Sequence, residues 1–266
     1  MAAKPVYRRN LDDSPRRVAA MATSNEAGHI LPLHMHRRGQ LLYAVSGVMR
    51  VETEQAAWIV APARGLWLPP RWPHSVAMRS RVEMRTIYIA PETCNTLPEQ
   101  PLLVEISGLL RELILALLDE PVAYDEAGRG GKVAQLILDE LARLRERPLD
   151  VPMPRDPRAL RVARALLDNC RDDRDLDRFA EAAGASRRTL ARLFRSETGL
   201  GFAEWRARLR AIDGLARLAN GASVAETARA VGYASPSAFS AMIRRTLGSA
   251  PRQIARPRPP ESTRPL

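Results

Sequence analysis

Leu176-Asp-Arg-Phe-Ala-Glu-Ala-Ala-Gly-Ala-Ser-Arg-Arg-Thr-Leu-Ala-Arg-Leu-Phe-Arg-Ser-Glu-Thr-Gly199 and Val224-Ala-Glu-Thr-Ala-Arg-Ala-Val-Gly-Tyr-Ala-Ser-Pro-Ser-Ala-Phe-Ser-Ala-Met-Ile-Arg-Arg-Thr-Leu-Gly248 are one pattern written twice. Ala180 and Gly184 pair with Ala228 and Gly232 at an offset of 48. Past the turn the offset is 49, so Leu190, Phe194 and Gly199 match Phe239, Ile243 and Gly248. Each copy reads as a short helix, a tight turn and a second helix, the helix-turn-helix arrangement. Local signals agree. Ser223-Val-Ala-Glu226 is a capping box, in which the serine oxygen accepts from first-turn backbone while the glutamate reaches back. Gly184 and Gly232 sit where the chain leaves a helix, a place that favours positive φ. Ser186 and Ser235 can each cap the second helix, and Pro236 stands at its first position, where a missing N–H costs nothing. Leu190, Leu193 and Phe194 share one face, as do Phe239, Met242 and Ile243. The opposite face of the first copy presents Arg187, Arg188, Ala191, Arg192 and Arg195. The competing reading is an all-α interaction repeat whose arginines only solvate a surface; two copies with matching turns and caps make it the weaker one.

At 266 residues the chain has room for two domains, each with a real core. Its charge is unevenly divided. Residues 155–266 hold 22 Arg and no Lys against 12 acids, a net of +10, and the remainder holds 19 basic residues against 18 acids, a net of +1; together these make the chain's +11. A basic domain beside a nearly neutral one points to a polyanionic partner, most simply double-stranded DNA. Arg- and Ala-rich composition of the GC-rich bacterial kind can inflate arginine, but it does not partition net charge in this way. Cys94 and Cys170 lie in different domains without ligand-like spacing, which suits structural thiols in a reducing compartment. The N-terminus lacks an apolar signal core and no apolar run approaches the length of a membrane span, so the chain reads as soluble and cytoplasmic, with no membrane partner.

Ahead of the repeat the texture changes. Residues 1–20 are a polar, turn-rich lead-in. From Val18 to Ala90, short runs (Leu42–Val45, Met49–Thr53, Trp58–Val60, Gly65–Leu68 and Arg85–Ile89) alternate with turn signals at Ser46-Gly47, Pro62, Pro69-Pro70 and Pro73, which predicts an antiparallel barrel or jelly roll. After a connector at 91–100, Leu103, Ile106, Leu110, Leu113, Ile114, Leu117 and Leu118 recur at helical spacing, and so do Val133, Leu136, Ile137, Leu141 and Leu144. These two helices are candidates for a homodimer interface, or for packing on the barrel. Four prolines between Pro148 and Pro157 mark an extended linker. The expected plan is α+β in two domains: a β-barrel at 1–97, a helical segment at 98–147, the linker at 148–157, an all-α double helix-turn-helix domain at 158–255 and a disordered tail at 256–266. Ala159, Val162, Ala163, Leu166 and Leu167 form an apolar stripe ahead of the first copy, and one long helix from Phe202 to Leu218 joins the copies.

One constellation lies inside the β-rich part. Gly28 is followed after five residues by His34-x-His36, then Gln40, then Gly47; Pro69 and His74 come later. This resembles the cupin superfamily, whose first motif carries a glutamate where Gln40 stands; in the second motif Arg71 replaces the usual glycine and Met78 the usual asparagine. The resemblance implies metal ligation. Positions i and i+2 of a strand share a face, so His34 and His36 would point into the barrel. His74 would complete a three-imidazole set for a divalent metal, with the Gln40 amide oxygen as a weak, uncharged fourth ligand. The alternative is a metal-free pocket for an effector. His29 has no partner in the motif and reads as an ordinary turn residue.

With both halves in view, the chain resembles the AraC/XylS family of bacterial transcription regulators in the form with an N-terminal cupin-like sensor. The specific part is Ala228-x-x-x-Gly232-Tyr-x-Ser235-x-Ser-x-Phe239, then Gly248-x-x-Pro251. Ile243 stands where the family commonly has Phe, and Ala241 where Arg is common. The resemblance implies that both second helices dock in successive major-groove segments, about one turn or roughly 34 Å apart, unless the DNA bends. It assigns base contact to Arg188, Ala191 and Arg192, with Arg187 and Arg195 turned to phosphates or solvent. In the second copy it assigns Ser237 and Ser240, with Pro236, Ala241 and Arg244 beside them. Arg188 and Arg192 could each hold guanine O6 and N7 bidentately, and the alternative for each is a phosphate contact. The implied function is a small-molecule-responsive activator or repressor, a homodimer that engages RNA polymerase if it activates, and not an enzyme. A metal-dependent cupin dioxygenase or isomerase fused to a DNA-binding tail is the alternative.

Overall fold

The computed structural model describes residues 11–143 and 150–247; the expected tail at 256–266, Leu144, Gly248 and Pro251 lie outside them. Ten strands come first: β1 (Val18–Asn25), β2 (Ile30–His34), β3 (Gly39–Ser46), β4 (Met49–Glu52), β5 (Ala56–Val60), β6 (Arg64–Leu68), β7 (His74–Met78), β8 (Val82–Ile89), β9 (Leu102–Glu105) and, after two helices, β10 (Asp150–Pro152). They form two antiparallel five-stranded sheets, β1-β8-β3-β6-β9 and β10-β5-β4-β7-β2. Leu42, Ala44, Leu66, Leu68 and Leu103 of the first sheet share one core with Met49, Val51, Val76 and Met78 of the second. The alternate residues Leu41, Tyr43 and Trp67 face the other way, into a second core. Strand β3 is therefore an almost unbroken apolar run because both of its faces are covered.

That second core is roofed by α1 (Gly108–Leu118) and α2 (Arg129–Leu141). Leu110, Leu113, Ile114, Leu117, Val133, Ala134, Ile137 and Leu141 all pack on the first sheet. The apolar stripes read as a possible dimer face thus serve mainly to close the barrel, leaving Leu109 and Leu136 exposed. Tyr124, in the connection between the helices, donates its hydroxyl to the Val18 carbonyl at 2.9 Å and ties that roof to β1.

The proline-rich stretch corrects the expectation of a linker at 148–157. Asp150–Pro152 is a strand on the edge of the second sheet, with Val151 paired to Ala57, and Met153 N–H donates to the Gln55 carbonyl. Prolines keep the stretch extended, as expected, and an edge strand tolerates the N–H that Pro152 lacks. Asp156 then caps α3 (Pro157–Asp168), with proline at its first position. Strand β9 is a second departure, because residues 102–105 fall in the segment expected to be helical but pair with β6.

The helical half comprises α3, α4 (Leu176–Ala183), α5 (Arg187–Thr198), α6 (Phe202–Ala219), α7 (Val224–Ala230) and α8 (Pro236–Leu247). Gly184 is left-handed at φ 67° and Gly232 at φ 83°. Ser186 accepts from Thr189 N–H, Ser235 from Ala238 N–H, and the Ser223–Glu226 box is formed on both sides. The two halves share an interface. Helix α6 lies on β5 and β10: Trp205 Nε1 donates to the Pro152 carbonyl at 2.6 Å and Arg208 clasps Asp150 at 2.9 Å. Arg50, on the outer face of the second sheet, reaches Asp168 of α3 at 2.8 Å. Residues 209–216 are buried all round, because α6 meets the sensor on one side and the repeat on the other.

Candidate nucleic-acid interface and sensor pocket

The two copies seat at different points of α6. Phe194 of α5 packs on Phe202 and Trp205, with ring centroids 5.2 and 5.3 Å apart. Phe239 of α8 lies against Gly214, where a Cβ would stand 2.6 Å from the phenylalanine ring. Nine to twelve residues of helix separate the seats, roughly 14–18 Å along the axis.

On α5, Leu190, Leu193 and Phe194 are buried, which turns Arg187, Arg188, Arg192 and Arg195 to solvent with Ala191 between them. The four arginines are not equivalent. Arg187 is held by Asp177 at 2.7 Å, and Arg195 by Glu204 at 3.1 Å. Arg188 and Arg192 are exposed with no ion-pair or hydrogen-bond partner among the described residues. Helix α8 presents Pro236, Ser237 and Ala241 exposed and Ser240 half-buried, while Arg244 and Arg245 occupy its last turn. Over the first half of each helix, then, the first copy offers two guanidinium groups without a partner among the described residues and the second offers small side chains, its own exposed Arg244 and Arg245 standing in the last turn.

In the sensor, His34, His36 and His74 converge, with one candidate ligand atom from each within 4.8 Å of the others. Ring centroids lie 4.4 Å apart for His34–His74 and 5.0 Å for His34–His36. The route to this cluster differs from the expected strand pleat. Strand β2 ends at His34 after a register shift, and His36 lies beyond it. What places His36 is its own carbonyl, which accepts from Arg71 N–H at 2.7 Å. Arg71 adopts φ 60°, so it takes up the left-handed conformation that the usual glycine would supply at the cost of strain.

Each imidazole is turned by a neighbour. His34 Nδ1 lies 2.7 Å from the Pro32 carbonyl and His74 Nδ1 2.9 Å from that of Trp72. A carbonyl only accepts, so both Nδ1 atoms carry the proton and both Nε2 atoms keep a lone pair. His36 Nδ1 stands 3.6 Å from Asp12, a residue that sequence reading missed because it lies in the irregular lead-in. Burial, followed by the charge of His34, lowers the His36 pKa, and burial lowers that of His74 to about 4, so both rings are neutral near pH 7. Gln40 points inward with Leu42 and Ala44 and donates from Nε2 to the Tyr88 hydroxyl at 3.3 Å. His74 Nε2 and Gln40 Oε1 are buried acceptors without a partner among the described residues. The two thiols, by contrast, are pushed up by burial, to about 11 for Cys94 and about 12 for Cys170.

Comparison with known proteins covers both halves. The chain matches the model of the AraC-like ligand binding domain over residues 21–187 and that of a helix-turn-helix domain over residues 179–256. It is 33% identical over 226 residues to the HTH-type transcriptional regulator NimR of Escherichia coli strain K12, covering 85% of this chain and 82% of that protein. It is 39% identical over 100 residues to the HTH-type transcriptional regulator RipA of Corynebacterium glutamicum, covering 38% of this chain and 30% of that one. Among solved structures it is similar to the DNA-binding domain of AdpA in complex with a target DNA (35% identity, 38% of this chain and 90% of that chain, TM-score 0.34). It is also similar to ToxT of Vibrio cholerae (12% identity, 90% and 98%, TM-score 0.36).

Proposed function

The chain belongs to the AraC family of transcriptional regulators, with a ligand-binding domain and a DNA-binding helix-turn-helix domain in one polypeptide, and we propose that α5 supplies most of its grip on DNA. The observation that carries this is the contrast among its arginines. Arg187 and Arg195 are engaged by carboxylates, whereas Arg188 and Arg192, four apart on the exposed face, are unengaged. An unpaired guanidinium on a docking face keeps its planar fork for guanine O6 and N7 or for a phosphate. Ser237 and Ser240 of α8 read the second segment, with Pro236 and Ala241 in apolar contact and Arg244 on the backbone. Selecting DNA from a random pool with the full chain tests the assignment. Arg192→Ala should weaken binding to the selected sequence by about 5- to 150-fold, the worth of one good base contact, with circular dichroism unchanged. Undiminished sequence-specific binding would remove Arg192 from the site.

The sensor pocket takes the effector. Its donor set also fits a divalent metal: three imidazoles, oriented from behind by carbonyls and a carboxylate as metal-bound histidines usually are, and two buried acceptors in need of a partner. His34, His36 and His74 would hold the ion through Nε2 and Gln40 through Oε1; the ion would supply a Lewis-acidic anchor for an anionic or lone-pair-bearing effector. A set dominated by imidazole nitrogen favours Zn²⁺, Co²⁺ or Ni²⁺ over Mg²⁺ and Ca²⁺. Co²⁺ added to metal-free protein should give the visible absorption bands of a nitrogen-ligated ion at one per chain, lost in His74→Ala; no bands would leave the pocket to an organic effector alone. Regulation as a cytoplasmic homodimer that contacts RNA polymerase when it activates, with no turnover of the effector, completes the reading. Sedimentation of the free protein and product analysis of bound ligand test those two parts.

A further inference from the structure

The chain's only fully buried carboxylate pair-point among the described residues of α6 is Asp213, and it sits where three parts of the molecule meet. Its side chain is 2% exposed. Arg79, the residue after β7 in the sensor, donates to Oδ1. Arg217, one turn further along α6, donates to Oδ2 at 2.7 Å. The Cys170 thiol, just past α3, donates to Oδ2 at 3.3 Å. Close by, Asn220 accepts from Gly47 N–H in the β3–β4 turn at 3.1 Å, so the C-terminal half of α6 is gripped by the turns at one end of the barrel. The next residue along, Gly214, is the seat of Phe239 and hence of α8. At this end of α6 the sensor and the second reading helix meet the helix at adjacent residues, Asp213 and Gly214; the α5 seat lies nine or more residues away, where β10 holds Trp205 and Arg208.

We propose that Asp213 is a positioning residue for DNA reading, held by Arg79 so that the sensor sets the placement of α8 relative to α5; this rests on the assignment of α5 and α8 as the readers. The sensor end of the linkage is β7 itself. His74, Val76 and Met78 face the barrel core while Ser75 and Ala77 face outward. His74 lies in the pocket and Arg79, an odd number of residues later, lies on the outer side, about 17 Å along the strand. One strand carries the pocket at one end and the grip on α6 at the other. The device has two states. Removing one partner of a buried ion pair is ordinarily costly because the other charge is stranded. Here Arg217 stays with Asp213 when Arg79 leaves, so opening the junction does not strand the buried carboxylate. An effector that favours one position of β7 shifts that balance, which is the requirement for coupling between sites.

The test uses the full chain and the DNA selected above, together with versions in which the two recognised segments are moved one base pair closer or further apart. Wild type should favour the selected spacing. Arg79→Ala should reduce that preference by about 3- to 30-fold, the range open to coupling residues, while binding to DNA carrying only the α5 segment is unchanged. Arg79→Lys, which keeps the charge, should retain the preference. His74→Gln should alter it in wild type and leave it unaltered in Arg79→Ala. If Arg79→Ala proves too unstable to compare, Arg79→Gln, which keeps a polar stem, is read in the same way. A spacing preference that survives loss of Arg79, or a His74→Gln effect that persists without it, overturns the proposal. No enriched sequence in the selection would overturn the reader assignment instead, so the two failures are distinct.

Discussion

Helices α5 and α8 come from one pattern, share a cap, a turn and a buried face, and yet offer DNA different chemistry. In α5 the cations stand in the first half and middle, at Arg187, Arg188 and Arg192, with two of the helix's arginines unengaged. In α8 those positions hold Pro236, Ser237 and Ala241, with Ser240 in place of Ala191, and the cations stand in the last turn, where they also suit the helix dipole. The repeated scaffold has thus kept its packing and changed its exposed face. On the proposed assignment the first copy would supply charge and bidentate recognition. The second would supply close approach by small side chains, whose value depends on being held at the right distance from the first.

The widest gap between the copies should appear in paired substitutions. Arg188→Ala with Arg192→Ala should cost about 2–6 kcal/mol of binding to the selected DNA, two contacts of roughly 1–3 kcal/mol each. Ser237→Ala with Ser240→Ala should cost about 1–3 kcal/mol, two neutral hydrogen bonds at roughly 0.5–1.5 kcal/mol each. Titration by fluorescence anisotropy decides it, and equal losses would break the asymmetry.

The packing half of that comparison was legible in the sequence because its determinants are local. A capping serine, a turn glycine and a stripe at helical spacing act within a few residues, so Ser186, Gly184 and Leu190 declare themselves without the rest of the chain. The histidine cluster was legible as a set through the resemblance to the cupin motifs that carry His34, His36 and His74, though not by the route the pleat suggested. It took Arg71, bonded to the His36 carbonyl from a left-handed backbone, to bring His36 in. Long-range pairings were not legible. The run Trp58–Val60 signals a strand, but nothing local says that β10 pairs with it and that α6 packs on it. Asp12 lay in a lead-in without periodicity. Asp213 does leave a trace, as an acid on the apolar side of a helix that also carries Arg210 and Arg217; naming its partner Arg79, 134 residues away, needed the fold.

A smaller effect tests whether α6 is a common ruler for the two copies. Gly214 has no side chain because the Phe239 ring occupies that space, and a methyl group there would lie 2.6 Å from it. Gly214→Ala should lower the unfolding free energy by about 1–3 kcal/mol, the usual cost of overpacking, measured by urea denaturation. Because the clash displaces α8 and spares α5, DNA carrying only the α5 segment should bind as before. Loss of both segments together would mean that the copies are not separately seated.

The smallest effect separates phosphate contact from base contact at the far end of α8. Arg244 is exposed, without a partner among the described residues, one turn beyond Ser240. A cation there meets the backbone that flanks the groove rather than the base edges reached by the first turns of a recognition helix. Arg244→Ala should therefore weaken binding to selected and unselected DNA by similar factors, and should reduce the slope of log K against log salt by about 0.9, the contribution of one neutralised phosphate. Arg192→Ala should change the ratio between the two DNAs instead. If Arg244→Ala also changed that ratio, the second copy would be reading bases through a cation as the first does, and the division of labour between α5 and α8 would collapse into two versions of the same contact.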